Sequence, residues 1–203
     1  MVGQKYNCSC INGFKGSNCE LKPFDSSILT DAQSTQLFSL IGFSSSLFSS
    51  KPIYQASKDG FSASNFHSKC DNAPNTLVII RTVNNNIFGA YVEVSWSGGG
   101  SYKSDSNAFL FSLVNPSKNP IKMPISSTQY AIYAHPSYGP TFGGGHDLYT
   151  PDQPNSNQGY LNLGHSYKLP NFLTYGSSQA QAYLDGAYNF RVSEIEVFVR
   201  NSF

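Results

Sequence analysis

The stretch that decides the fold covers residues 57–96 and reads SKDGFSASNFHSKCDNAPNTLVIIRTVNNNIFGAYVEVSW. Within it, residues 76–83 are almost continuously apolar, which is typical of a strand covered on both faces. Three asparagines follow at 84–86, and asparagine tolerates the left-handed backbone that a hairpin turn needs. From Phe88 to Trp96 every second residue is apolar, and this period of two places one set of side chains inward. The order of strand, turn and strand predicts a sheet-based domain and not a catalytic loop.

The composition bounds the class of protein. The chain has 203 residues, of which 39% are hydrophobic and 14% aromatic, as in a globular β-rich domain. Only 12% are charged and the net charge is +1, which argues against nucleic acid, because phosphate binding needs clustered lysine and arginine. Low charge also means weak self-repulsion, which favours self-association. No apolar run approaches the roughly 20 residues that span a bilayer, so no membrane span is predicted.

Local signals outside the central stretch add helices and strands. Thr30 and Gln33 form a capping box that starts a helix, and Gly42 can end it. A second short helix is predicted over residues 62–70, with Phe66 and Cys70 on its inner face. Further strands are predicted at 53–56, 108–114, 129–134 and 190–199, the last with a bulge near Ser193.

Three motifs could hold a metal or a phosphate, and each has a plainer interpretation. His67 and Cys70 have the spacing of half a zinc site, but no second ligand pair follows, and Cys70 is interpreted as a buried apolar residue. The glycine-dense residues 139–148 lack the Lys-Ser/Thr of a phosphate loop and are interpreted as backbone passing close to another strand. Asp152, Asn155 and Asn157 carry calcium-type oxygens without EF-hand spacing. The sequence therefore predicts no metal site and no cofactor.

Glu194 and Glu196 lie two residues apart in the last predicted strand, so both point to the same face. Two carboxylates on one face can carry out acid–base chemistry when they line a cleft. The preferred interpretation is a solvated outer face, so no catalytic residue is predicted.

Residues 1–20 differ from the rest of the chain. Cys8, Cys10 and Cys19, with glycines between the last two, resemble the C-terminal half of an EGF-like module, in which a disulfide replaces a core. The resemblance implies a disulfide between Cys10 and Cys19. Cys8 is then unpaired, or it pairs with another chain or with Cys70. Asn7 begins the sequon Asn-Cys-Ser and is a glycosylation candidate. The alternative is three free thiols in a cytosolic tail.

From about residue 24 to residue 201 the chain resembles the TLDc (TLD) domain family of oxidation-resistance proteins. The matching segments are residues 53–60, 66–71, 76–80, 88–91, 109–113, 139–143, 147–148 and 194–197, together with Trp96. The resemblance implies a mainly β (α+β) fold, a two-sheet antiparallel β-sandwich with short helices. We expect residues 1–20 to form the partial EGF-like segment, 21–27 a linker and 28–203 the TLDc domain. Cytosolic members of the family protect against oxidative damage and some bind the vacuolar proton pump, but the resemblance implies no catalytic residues.

The expected function is a secreted or cell-surface, non-catalytic interaction or structural module. Its expected partners are copies of itself, as in an extracellular filament or matrix, with glycans as a further class. One alternative is a cytosolic oxidation-resistance or proton-pump-binding protein, which requires reduced cysteines. The other is a glycan-acting enzyme that uses Glu194 and Glu196, which requires both to line a cleft.

Overall fold

The structure is a computed structural model that describes residues 25–201, together with two short strands at 14–15 and 20–21. In chain order the elements are β1 (Phe14–Lys15), β2 (Glu20–Leu21), α1 (Asp31–Ile41), β3 (Tyr54–Gln55), α2 (Ala56–Asp59), α3 (Ala63–Cys70), β4 (Thr76–Thr82), β5 (Ile87–Val92), β6 (Ser101–Lys103), β7 (Phe109–Val114), β8 (Ile121–Pro124), β9 (Ile132–Ala134), β10 (Leu148–Tyr149), β11 (Gly159–Leu161), α4 (Ser178–Gln181), β12 (Asn189–Phe190) and β13 (Val192–Val199). Asn7, Cys8, Cys10 and Cys19 lie outside the described residues, so the predicted disulfide, the unpaired cysteine and the glycosylation site stay predictions.

Two antiparallel sheets dominate the fold, as predicted. The larger sheet has six strands in the order β3-β13-β4-β5-β7-β8. In the second sheet β10, β11 and β12 pair side by side, and β6 pairs with β9. Phe142 joins these two parts because it bridges both Ile132 and Leu148. Separately, β1 pairs with β2, with Phe14 opposite Leu21.

The main core fills the space between the two sheets. Alternate residues of β4 and β5, such as Val78 and Phe88, meet Leu148 and Leu161 of the second sheet in one buried cluster. Trp96 lies in the same cluster, and its indole N–H donates to Thr76 Oγ1 at 2.9 Å. The strand pattern of period two therefore builds the inter-sheet core that it predicted.

A second core covers the opposite face of the large sheet. Leu77 and Ile79 of β4 pack there with Leu37 of α1, which confirms that β4 is buried on both faces. Strand β5 differs from its prediction as a half-buried strand, because Tyr91 on its other face is also fully buried. The reason is α1 and the chain that follows it, since Phe43 contacts the Tyr91 ring edge-on at 5.0 Å.

The predicted local signals form as expected. Thr30 and Gln33 make both hydrogen bonds of the capping box, and Gly42 ends α1 with a φ of 79°. Ser62 caps α3 by accepting from the Asn65 N–H. The register of β13 shifts between Val192 and Glu194, which confirms the bulge. The strand predicted at 129–134 is shorter, because a 3₁₀ turn occupies Thr128–Tyr130 before β9 begins. Within residues 25–201, no helix combines the length and the apolarity that crossing a bilayer requires.

Candidate functional site

Glu196 is buried, so its predicted place on a solvated face is wrong. Its side chain has no exposed surface. The chain before α1 crosses β13 at this point, and Ser27 donates to Glu196 from its backbone N–H at 2.7 Å and from its hydroxyl at 2.8 Å. The Ser26 hydroxyl donates to the other carboxylate oxygen. The carboxylate therefore fastens the entry segment to the last strand.

Glu194 lies on the same face and is also buried, with 3% exposure. It accepts hydrogen bonds from the backbone N–H groups of Ser57 and Ile195, both at 3.0 Å. The Gln55 amide nitrogen lies 3.5 Å from Glu194 and donates to the Ser27 hydroxyl at 2.8 Å, which connects the two carboxylate sites. Hydroxyl and amide donors thus occupy the oxygens that acid–base chemistry would need.

A pocket of about 280 Å³ lies beside these carboxylates, and Gln55 forms part of its wall. The remaining lining residues are Asp25, Lys51, Pro52, Ile53, Lys58, Asp59 and Lys69. Lys69 pairs with Asp59 at 3.1 Å. Burial acts to raise the pKa of Asp59, but the Gln55 N–H and the two neighbouring lysines outweigh it and lower the pKa below its usual value. Neither Glu194 nor Glu196 lines this pocket, so it is not the cleft that the glycan-acting alternative requires.

His67 and Cys70 have structural roles. His67 Nε2 lies 3.0 Å from the backbone carbonyls of His135 and Tyr138, and because carbonyls only accept, this nitrogen carries a hydrogen. Its Nδ1 lies 2.6 Å from Asp71. Cys70 is a free, fully buried thiol, and burial raises its pKa. No group of three or more His, Cys, Asp or Glu side chains suited to a metal occurs among residues 25–201.

Asp152 of the calcium candidate also has a structural partner. Its carboxylate accepts from the Ala63 N–H at 2.7 Å, at the start of α3. The Asn157 amide donates to the Asp152 carbonyl at 2.8 Å. This carboxylate therefore ties the loop to a helix.

The glycine-dense loop passes close to its neighbours, as predicted. A Cβ at Gly143 would lie 2.0 Å from the Asp147 carboxylate, and one at Gly144 would lie 2.7 Å from the His165 ring. Asp147 is fully buried and accepts from the backbone N–H groups of Gly164, Ser166 and Tyr167. Burial raises the pKa of Asp147 to about 6, although these N–H donors act to lower it. The loop is a close backbone contact between two segments.

Aromatic side chains cover the outer surface of the second sheet. In β9, Ile132 and Ala134 are buried in the core while Tyr133 between them points away, and the same alternation holds for Leu161 and Tyr160 in β11. The rings of this surface, which we call the aromatic face, belong to Tyr102, Tyr130, Tyr133, His135, Tyr138, His146, Tyr149, Tyr160, His165, Tyr175 and Tyr188. All of them are partly or well exposed.

The rings of the aromatic face form one connected network. Strand register places Tyr102 opposite Tyr133 and Tyr149 opposite Tyr160. The corresponding ring centroids are both 4.8 Å apart. Tyr188 extends the network at 5.5 Å from Tyr160. Cross-strand aromatic pairs of this kind stabilise a sheet, yet these rings also leave a wide aromatic surface in contact with solvent.

His146 lies at the centre of the aromatic face in a left-handed conformation, with a φ of 60°. Its Nδ1 lies 2.8 Å from the Tyr160 hydroxyl. Burial and then the charge of nearby His135 lower the pKa of His146, so the imidazole is neutral at pH 7. Burial and then neighbouring Tyr188 raise the pKa of Tyr160 to about 12. Both groups are thus uncharged at neutral pH.

The aromatic face was not predicted from the sequence. The sequence does contain its alternating pattern over short segments, because residues point inward and outward in turn in Ile132-Tyr133-Ala134 and in Gly159-Tyr160-Leu161. Strands of three residues are too short for a period to stand out. Their assembly into one sheet depends on contacts between segments far apart in the chain.

A family model described as the TLDc domain matches residues 22–200 of the chain. No curated protein matches the chain.

Proposed function

The chain belongs to the TLDc domain family, and from that premise we propose that it is a non-catalytic interaction module that works outside the cell and assembles with copies of itself. The observation that carries the interaction-module part of this proposal is the aromatic face. Protein surfaces that bind partners are enriched in tyrosine, because its rigid, amphipathic ring gives a large contact area at a small entropic loss. A monomeric protein with no partner has little use for so many exposed rings in one place.

The burial and hydrogen bonding of two carboxylates support the proposal that the module is non-catalytic. Glu194 and Glu196 are the pair on which a glycan-acting enzyme would depend, and both are buried. Their oxygens accept hydrogen bonds from Ser26, Ser27 and Ser57. An arrangement of this kind stabilises a chain crossing and leaves no carboxylate facing a substrate.

The sequence supports the extracellular location and the self-assembly. Cys8, Cys10 and Cys19 have the spacing of an EGF-like half-module, and such cysteines are oxidised outside the cell. With 12% charged residues, copies of the chain repel one another only weakly. Cys8 is the residue proposed to join neighbouring subunits.

Mass photometry of the native protein, with and without a reductant, tests the proposal. We expect oligomers that dissociate on reduction and that are absent in Cys8→Ser. Cys70→Ala is the matched control, because this buried thiol should leave the assembly unchanged. A monomer under both conditions would refute self-assembly.

The family match fits the cytosolic alternative equally well, as an oxidation-resistance or pump-binding protein. The two proposals differ in the state of Cys10 and Cys19. Mass spectrometry of the alkylated native protein should find a Cys10–Cys19 disulfide if the module is extracellular. Reduced thiols at both positions would favour the cytosolic role.

A further inference from the structure

Five tyrosines of the aromatic face have hydroxyls without a hydrogen-bond partner among residues 25–201. They are Tyr130, Tyr133, Tyr138, Tyr149 and Tyr188, whose rings are held in the network at centroid distances of 4.3 to 6.0 Å. Each hydroxyl can donate one hydrogen bond and accept two. The surface therefore combines flat ring faces with free polar groups at their edges.

The rings of the aromatic face belong to tyrosines and histidines, and no lysine, arginine or carboxylate is among its members. The central His146 is neutral for the reason given above. Asp152 acts on Tyr149 from the rim, but its carboxylate is bonded to the Ala63 N–H. A surface without lysine, arginine or carboxylate members suits an uncharged ligand, because an ion placed on it would lose water and gain little counter-charge.

The shape of the face suits an extended ligand. The second sheet runs from β6 through β9, Phe142, β10 and β11 to β12, with the bridges of Phe142 closing the gap. At about 4.8 Å between neighbouring strands, six positions span roughly 24 Å. Tyr102 near one side and Tyr188 at the other are each 40% exposed, so ring surface is available along the whole width.

We propose that the aromatic face is a binding site for a neutral polysaccharide chain. A sugar ring presents a flat C–H surface that packs against an aromatic ring, and it presents hydroxyls at its edge that pair with polar groups. The tyrosine rings supply the first contact, and the five unpartnered hydroxyls supply the second. A lipid chain would leave those hydroxyls unpaired, and a sulfated or uronic-acid glycan would find no lysine or arginine among the rings.

This inference rests on the proposed function, because it names the ligand class of the same interaction surface. It assigns the aromatic face to a sugar chain and leaves self-assembly to Cys8. The two ideas therefore make separate predictions for the same preparation of protein.

Affinity electrophoresis of the full chain tests the inference. The native gels contain laminarin, galactomannan, xyloglucan or dextran as neutral probes, and alginate or heparin as acidic probes. We expect at least one neutral polysaccharide to retard the protein and neither acidic one to do so. In the double variant Tyr102→Ala/Tyr188→Ala the dissociation constant for that polysaccharide should rise about tenfold or more, since two stacking contacts are lost.

Two further variants are needed. One tests the contribution of a tyrosine hydroxyl apart from that of its ring, and the other is a control outside the aromatic face. Tyr188→Phe keeps the ring and should weaken binding less than Tyr188→Ala. Phe172→Ala removes a still more exposed ring outside the face, at 70% exposure, and should bind as the wild type does. Circular dichroism melting of each variant checks that the fold is retained.

Any of four results would overturn the inference. The first is that none of the four neutral probes retards the protein, and the second is that a neutral probe retards the double variant as strongly as the wild type. The third is that only the acidic probes retard the protein. The fourth is that the wild type forms a concentration-dependent oligomer that the double variant does not form. The last would make the face a protein–protein interface. Assembly that depends on Cys8 but comes without polysaccharide binding would refute this inference alone, whereas binding by a monomer would refute self-assembly alone.

Discussion

At the residue scale, Asp147 holds two loops together from a fully buried position. It accepts backbone hydrogen bonds from Gly164, Ser166 and Tyr167, so the turn of the glycine-dense loop and the chain beneath the aromatic face share one anchor. Its place two residues after a glycine run could be seen in the sequence. Its three donors could not, because they lie 17 to 20 residues further along.

Asp147 should make stability depend on pH in an unusual direction. Burial raises its pKa from 3.8 to about 6 in the folded protein, so between these values the folded state holds more protons than the unfolded state. The free energy of unfolding should therefore fall as pH rises from 3.8 to 6, by up to about 3 kcal/mol from this group. Urea unfolding across this range measures the effect.

The variant Asp147→Asn isolates this titration. It should be less stable than the wild type, by about 2 kcal/mol at pH 4, because its amide N–H₂ would face backbone donors. That difference should shrink towards pH 6, as the wild type loses its own stabilisation. The exposed Asp25→Asn is the matched control and should leave the pH slope unchanged. A difference that grows towards pH 7 would mean that the three N–H donors outweigh burial.

Glu194 and Glu196 show what the sequence of a single strand can predict and what it cannot. Their spacing correctly put both side chains on one face of β13, since side chains alternate along a strand. The burial of Glu196 depended on Ser26 and Ser27, about 170 residues earlier in the chain. A strand pattern reveals which residues share a face but not what covers that face.

At the element scale, the close approach of β4 and β5 requires glycine at position 89. A Cβ on Gly89 would lie 1.9 Å from the Val78 carbonyl oxygen and 2.9 Å from the Phe111 ring. Gly89→Ala should therefore lower the free energy of unfolding by about 3 kcal/mol or more, since a fully buried sheet cannot move aside. Gly99→Ala is the control, because nothing lies within 4 Å of its added methyl group. Equal melting temperatures for the two variants would contradict the packing argument.

The start of α1 gives a smaller and more local prediction. The Thr30 hydroxyl oxygen accepts from the Gln33 N–H, and the Gln33 side-chain oxygen accepts from the Thr30 N–H. Thr30→Ala should destabilise the domain by about 1 kcal/mol through loss of this cap. Thr35→Ala, on the exposed surface of the same helix, should be neutral or slightly stabilising because alanine is the better helix former. Denaturant melts of both variants would show whether the cap or the helix propensity dominates.

Elements defined by strong local signals were predicted well. The capping box, the bulge in β13 and the doubly buried β4 each rest on residues close together in sequence. The short strands of the second sheet were partly missed, because two or three residues carry too little pattern. The aromatic face is built from those short strands, so the candidate site was the least predictable part of the molecule.

At the scale of the whole molecule, two cores share the large sheet as their common wall. One core fills the space between the sheets, and the other lies under α1. The family resemblance predicted the first of these, and the alternation in β5 suggested a solvated side where the second core lies. Tyr91 shows why this was wrong, since a tyrosine that shares a strand face with Glu93 looks exposed until Phe43 from a distant segment packs against it.

Cys70 offers a measure of how cooperatively this whole assembly opens. The thiol has no exposed surface, and burial raises its pKa, so both access and reactivity require the inter-sheet core to separate. In a variant with serine at positions 8, 10 and 19, Cys70 is the single thiol that can react. Alkylation in native buffer should then be slower than in urea by several orders of magnitude, in proportion to the unfolding equilibrium. If α3 opened on its own, labelling would be fast in native buffer and insensitive to Gly89→Ala. If the core opens as one unit, Gly89→Ala should speed labelling by the same factor by which it shifts the unfolding equilibrium.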